Sequence, residues 1–180
     1  MNIVDEIINN FQTNKNLYIG ERVTISEHMI QTAMLAEKNN SSKSLICACL
    51  LHDYGHFIVD RPMSLVEKSL DGKHENLGSN FLENYFIPEV TEPIKLHVLA
   101  KRYLCRKKSY YKLLSKASKT SLKIQGGVMS DQEAQEFLLQ RFYNDAITIR
   151  KYDDSGKLPN IKIKKIHDYR DLISSQLIGN

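Results

Sequence analysis

No stretch of this 180-residue chain approaches the roughly 18 consecutive apolar residues that a membrane-spanning helix needs. That argues against a bilayer-embedded protein. The opening MNIVDEIINNF has no basic segment followed by an apolar one, so it does not read as a secretory signal. Cysteine is scarce: there are three, an odd number. Cys47 and Cys49 fall inside an apolar, helix-like run and read as buried free thiols of a reducing cytosol, not a disulfide frame. No cysteine pair stands at metal-ligand spacing, which argues against a structural zinc. Val and Ile never alternate with polar residues long enough to suggest a sheet. Repeats and low-complexity linkers are also missing. What remains is a single all-α domain, expected to span 1–180.

Hydrophobic residues make up 42% and charged residues 26%, which is ordinary for a soluble globular chain. The net charge of +4 is concentrated in two places, KRYLCRKKSYYK (101–112) and KIKKIHDYR (162–170). Both read first as solvated faces. Tyr103, Tyr110 and Tyr111 are interleaved with core-type leucines, so no nucleic-acid partner is expected. The first cluster lies beside His97, which leaves an anionic small ligand open.

The pattern is helix after helix. A first amphipathic helix covers about 2–12. Thr24 and Glu27 form a capping box for a second. A third runs from about Lys43 to Phe57, followed by a VDRPMS loop and a helix over DGKHENLGSNFLENYF. Thr91 can cap EPIKLHVLAKRYLC, with Pro93 in the tolerated first turn. A short helix over SYYKLLSKA precedes a polar loop containing Gln125, Gly126 and Gly127. Ser130 and Glu133 make a second capping box, and the helix they open extends to about Tyr152.

Five of the six histidines fall on four successive helices. His28 shares a face with Thr32 and Leu35. His52 lies over Leu45, Ala48 and Cys49, so it points into the core, and Asp53 is about 100° further round a regular helix. His74 lines up with Leu77, Gly78 and Phe81, and His97 with Ile94 and Lys101. On the last long helix Phe142, Ala146, Ile149, Arg150 and Asp153 form one stripe. Buried imidazoles and carboxylates are costly unless paired or bound to a metal. Imidazole plus carboxylate suits iron, manganese or zinc. An aspartate has two oxygens and can bridge two ions, so these residues suffice for a dinuclear centre.

The series His28, His52-Asp53, His74, His97 and Asp153, over about 15–157, resembles the HD-domain superfamily. Residues 158–180 form a basic tail outside that core, with His167 on its surface. LYIGERVTISEHMIQTAMLAE (17–37) further resembles the mixed-valence diiron oxygenases related to myo-inositol oxygenase. It is most similar to the branch that cleaves the carbon–phosphorus bond of 1-hydroxy-2-aminoethylphosphonates.

That resemblance implies a cytoplasmic oxygenase with two iron ions, Fe(II)/Fe(III), a bridging hydroxide or oxide, and dioxygen as co-substrate. His28, His52, Asp53 and Asp153 would hold one iron, and Asp53, His74 and His97 the other. Tyr18 would occupy a metal position until substrate displaces it, and Glu21 would recognise the substrate amine. His56, protonated, together with Lys101 and Arg150 would meet the phosphonate. Ser118 or Ser121, and Gln125, would complete the substrate loop. The products would be phosphate and an amino acid such as glycine. The same ligand set also fits a metal-dependent phosphohydrolase acting on a nucleotide or small phosphate ester. The resemblance does not choose between a free amine and a trimethylammonium.

Overall fold

The computed structural model describes residues 2–18, 20–58 and 74–179. The VDRPMS loop lies outside them. The described residues form helices and two isolated bridges, Leu17–Thr24 and Phe86–Leu177, without a sheet.

Local chemistry starts most of the helices. Asn2 caps α1 (Ile3–Thr13) through a bond from the Asp5 amide. Thr24 and Glu27 satisfy each other's backbone amides at the start of α2 (Ile25–Lys38). Ser42 caps α3 (Lys43–Leu51). A turn leads to α4 (Gly55–Ile58), and α5 covers His74–Leu82. Helix α6 (Pro88–Leu104) begins three residues before Thr91. Pro88 supplies a preset φ where no amide partner is needed, so Thr91 is a buried helical residue and not a cap. Pro93 sits inside α6.

Two further expectations change. Residues 116–124 are helical (α8, Lys116–Ile124, capped by Ser115), after a short α7 (Lys108–Leu113), so the serines expected on a loop stand on a helix. The capping box of Ser130 and Glu133 opens only α9 (Asp131–Leu138). The chain then breaks and resumes as α10 (Tyr143–Ser155). A 3-10 turn (Ile166–Tyr169) and α11 (Arg170–Ser174) end the described chain.

Helix α6 packs against α3, α5 and α10, and α2 packs against α3 and α10. The main core joins Ile7 and Phe11 of α1, Met29 and Ala33 of α2, Leu50 and Leu51 of α3, and Ile94 of α6. The basic tail is not merely peripheral: Ile166, Tyr169 and Ile173 are buried in that core. His167 is exposed, as expected. No helix among the described residues is long and apolar enough to cross a membrane.

Candidate metal centre

The continuous helix expected from Lys43 to Phe57 stops at Leu51. Residues 52–54 instead form a tight turn that leads into α4, with the amides of Tyr54, His56 and Phe57 bonded three residues back. This break matters chemically. On a regular helix neighbours diverge by about 100°, whereas here His52 Nε2 and Asp53 Oδ2 lie 3.4 Å apart and face one site. The helical restart is held close to α5. A Cβ on Gly55 would stand 2.0 Å from the His74 carbonyl oxygen, and one on Gly78 would stand 2.9 Å from the Gly55 nitrogen. Only glycine at both positions permits this approach, which brings His56 over His74 with ring centroids 4.4 Å apart.

Three imidazoles are oriented by backbone carbonyls. His28 Nδ1 donates to Gly156 O at 2.9 Å, His52 Nδ1 to Cys49 O at 2.9 Å, and His97 Nδ1 to Ile94 O at 2.7 Å. With each Nδ1 turned to a carbonyl, each Nε2 points inward, and in the neutral ring it is a lone pair. Such a carbonyl partner is the usual orienting shell of a metal-bound histidine. Gly156 belongs to this device too, since a Cβ there would meet Thr32 Oγ1 at 2.6 Å.

Two groups of donors result. His28, His52 and Asp153 form one, and Asp53, His74 and His97 the other; within each, the ligand atoms lie within 4.8 Å of one another. Asp53 connects them. Its Oδ2 lies 3.6 Å from His28 Nε2 and 3.4 Å from His52 Nε2. Its Oδ1 lies 3.3 Å from His74 Nε2 and 3.6 Å from His97 Nε2. Asp53 Oδ2 and Asp153 Oδ1 are buried and accept no hydrogen bond. Buried carboxylate oxygens facing imidazole lone pairs call for cations. The residues therefore fit a metal centre, and the donor set suits iron, manganese or zinc.

Burial pushes the Asp53 carboxyl up, but His52 and His74 beside it overcome that and hold it well below the usual range. Burial similarly opposes ionisation of Asp153, and Arg150, Lys157 and His28 reverse it. Burial lowers His97 to about 3, and it lowers His52 as well, so both are neutral, as a ligand must be.

Tyr18 stacks on His28 with ring centroids 4.2 Å apart. Burial, with Asp53 and Asp153 nearby, raises its phenol well above the ordinary value. The loop that carries it turns back through a bond from the Glu21 amide to the Tyr18 carbonyl. Glu21 Oε1 is buried and accepts no hydrogen bond.

Lys101 is buried and donates to Ser121 Oγ at 2.6 Å and Gln125 Oε1 at 2.8 Å. Of the two serines considered, Ser121 is therefore the lysine's partner, and Ser118, also buried, supplies its carbonyl to Ser121. Burial, then the Arg150 charge, lowers Lys101 to about 7.

Two expectations fail here. His56 was expected to be protonated, but burial, and then His74 beside it, push it down to about 4, so it is a neutral imidazole. Arg150 was expected to meet the phosphonate. Instead its Nη1 donates to Asp153, its Nη2 to Asp154, and its Nε to the Tyr110 hydroxyl at 3.3 Å. Acceptors on its own helix and on α7 have claimed all three nitrogens. Asp154 is the partly buried member of that group.

Sequence reasoning missed Tyr110 and Asp154 altogether and gave Lys157 no role. Lys157 Nζ stands 3.4 Å from Asp153 Oδ1 and 5.1 Å from the centroid of the Tyr18 ring. Its spacing of four from Asp153 was the available signal.

An all-helical scaffold that turns four histidines and two aspartates into adjoining donor groups defines a class of helical metal-binding domains. The HD-domain family model matches residues 25–135. The chain is 39% identical over 165 residues to hydroxymethylphosphonate dioxygenase of Gimesia maris, covering 89% of this chain and 81% of that one. It is 42% identical over 141 residues to [1-hydroxy-2-(trimethylamino)ethyl]phosphonate dioxygenase (glycine-betaine-forming) of Leisingera caerulea, covering 78% and 72%. It is also 37% identical over 187 residues to an uncharacterised protein of Acanthamoeba polyphaga mimivirus, covering 98% and 85%. The chain belongs to the HD-domain family.

Proposed function

We propose that this protein is a dioxygen-dependent oxygenase that cleaves the C–P bond of a 1-hydroxy-2-aminoethylphosphonate or its N-trimethylated analogue. Two relatives carry names of phosphonate dioxygenases. The observation that carries the reading is the loop beside the centre: Tyr18 lies on the ligand histidine His28, while Glu21 Oε1 is buried without a donor. A phosphate-ester hydrolase has use for the metals and for Lys101, but not for a buried, unmatched carboxylate that attracts a cation.

The reaction balances without another reductant. The hydroxyl-bearing carbon loses its hydrogen and its phosphorus, both atoms of dioxygen enter the products, and phosphate and glycine leave from the free-amine substrate. Two irons in the Fe(II)/Fe(III) state, with a bridging hydroxide or oxide, would supply the redox chemistry when bound. His28, His52, Asp53 and Asp153 would hold one, and Asp53, His74 and His97 the other.

This chain's own part is positioning and charge. His28, His52 and His97 are oriented by backbone carbonyls before any ligand arrives, so little reorganisation is left for binding. Lys101, steadied by Ser121 and Gln125, presents a cation to the phosphonate. His56, neutral, can donate one N–H to a phosphonate oxygen. Glu21 offers its carboxylate to the amine. Tyr18 screens the ligand cluster and is displaced by substrate. The substrate is then a small zwitterion with its anionic end at the metals.

The test is phosphate release from 2-amino-1-hydroxyethylphosphonate by the iron-loaded protein, with and without dioxygen. Release that requires dioxygen supports the oxygenase. Equal release under anaerobic conditions would sink it and favour hydrolysis.

A further inference from the structure

The Arg150 side chain is almost wholly buried, at 3% exposure, and so is its neighbour Asp153 at 1%. A single buried ion pair would balance the two charges. The structure contains more than that. The Tyr110 hydroxyl, on a helix 40 residues away in sequence, donates to Asp154 Oδ2. Asp154 Oδ1 accepts from Arg150 Nη2, and Arg150 Nε donates back to the Tyr110 oxygen at 3.3 Å. These bonds close a ring of three side chains. Every bond of the ring ends on Tyr110, Asp154 or Arg150, and the one guanidinium nitrogen outside it, Nη1, goes to Asp153 Oδ2.

The ring restrains a side chain with four rotatable bonds, and the restraint is passed on. With Oδ2 held by Arg150, Asp153 presents Oδ1 to the cluster, 3.3 Å from His28 Nε2. That oxygen accepts no hydrogen bond. We infer that Tyr110 and Asp154 are positioning residues for the last ligand: they lock Arg150, and Arg150 turns one oxygen of Asp153 toward the half of the centre formed with His28 and His52. The inference rests on the two-ion reading given above. Its consequence is asymmetric. Loosening the ring weakens the ion held by His28, His52 and Asp153, and spares the one held by Asp53, His74 and His97. Partners that orient a metal ligand typically change metal affinity by about 10–100-fold.

The experiment is an anaerobic Fe(II) titration of the full chain and of Tyr110→Phe and Asp154→Asn, read as equivalents bound per chain and as the affinity of each. Thermal unfolding of the metal-free proteins runs in parallel. The expected result is two equivalents in the wild type, and in both variants one unchanged site and one weakened by about 10–100-fold. Two unchanged affinities in both variants would overturn the inference. So would equal weakening of both sites with a lowered Tm, the mark of a general loosening. A wild-type chain that binds a single ion would sink the two-ion reading. The positioning role then survives only if that ion's affinity falls in the variants.

Discussion

His28 and His52 face each other Nε2 to Nε2 at 3.2 Å, each ring held at its Nδ1 by a backbone carbonyl. The buried oxygens Asp53 Oδ2 and Asp153 Oδ1 converge on these nitrogens and accept no hydrogen bond, an arrangement that a cation relieves. Iron at about 100 times its dissociation constant should stabilise the fold by about 2.7 kcal/mol. For a chain of this size that is a rise in Tm of roughly 5–10 °C. Thermal unfolding followed by circular dichroism, with and without anaerobic Fe(II), checks it; an unchanged Tm would count against a metal centre.

Glu21 separates substrate recognition from metal binding. Its buried Oε1 lacks a donor, and a charge-assisted bond to a substrate ammonium is worth about 1.5–3 kcal/mol. Glu21→Gln should raise KM for 2-amino-1-hydroxyethylphosphonate by about 10-fold or more. Binding of hydroxymethylphosphonate, which has no amine, should stay unchanged. Loss of iron from the variant would show that the glutamate serves the metals and not the substrate.

Lys101 gives the pH dependence. Burial, then Arg150, lowers it to about 7 from an ordinary 10.5. An unfolded chain keeps that proton until pH 10.5, so between about 7 and 10.5 the unfolded state binds more protons, and folding stability rises with pH through this group. Function runs the other way. The free enzyme loses the ammonium above about pH 7, so kcat/KM should decline there. In Lys101→Met the decline should vanish and kcat/KM at pH 6 should fall about 10-fold or more. An alkaline limb that persists unchanged in the variant would assign it elsewhere.

Gly78 tests how the histidines are spaced. A methyl group there would lie 2.9 Å from the Gly55 nitrogen and 3.4 Å from its Cα. The neighbour is backbone, so it cannot rotate away. Gly78→Ala should cost about 1–3 kcal/mol, which is a fall in Tm of roughly 2–12 °C, and it should weaken iron binding by moving His74 and Asp53 apart. A variant with wild-type Tm and iron content would show that the contact is soft.

Most of the candidate ligands were legible in the sequence because they sit on largely apolar stripes where an unpaired imidazole or carboxylate makes no sense; Asp53, off that face, stood out only as the neighbour of His52. His97 over Ile94 is the plainest case, and Asp153 over Ile149 is another. The all-helical class was legible from periodicity alone. The break after Leu51 was not. Leu50 to Phe57 has helical composition, and the turn is enforced by contact between Gly55 and the backbone of α5, a tertiary fact. Thr91 failed as a cap because Pro88 is a better start and reads as a stop only when the preceding helix is considered. Arg150 looked free because its partners include Tyr110, a residue on another helix that lies within a basic stretch and was read as part of its surface.

The carbonyl anchors of His28, His52 and His97 have a consequence for the heat of metal uptake. His52 and His97, which burial keeps neutral, already hold their hydrogen on Nδ1 and leave Nε2 bare, and the two aspartates are held ionised, so loading the centre at neutral pH displaces no proton from these four ligands. Metal sites built on thiols behave oppositely. Tyr18, whose phenol is held protonated by its surroundings, is the group beside them with a proton to lose. Calorimetric titration of the wild type and of Tyr18→Phe in buffers of different ionisation enthalpy counts the protons that loading releases. A proton released by the wild type and not by the variant is the tyrosine's, which then joins the metals as a phenolate; equal release by both means that the tyrosine stays neutral.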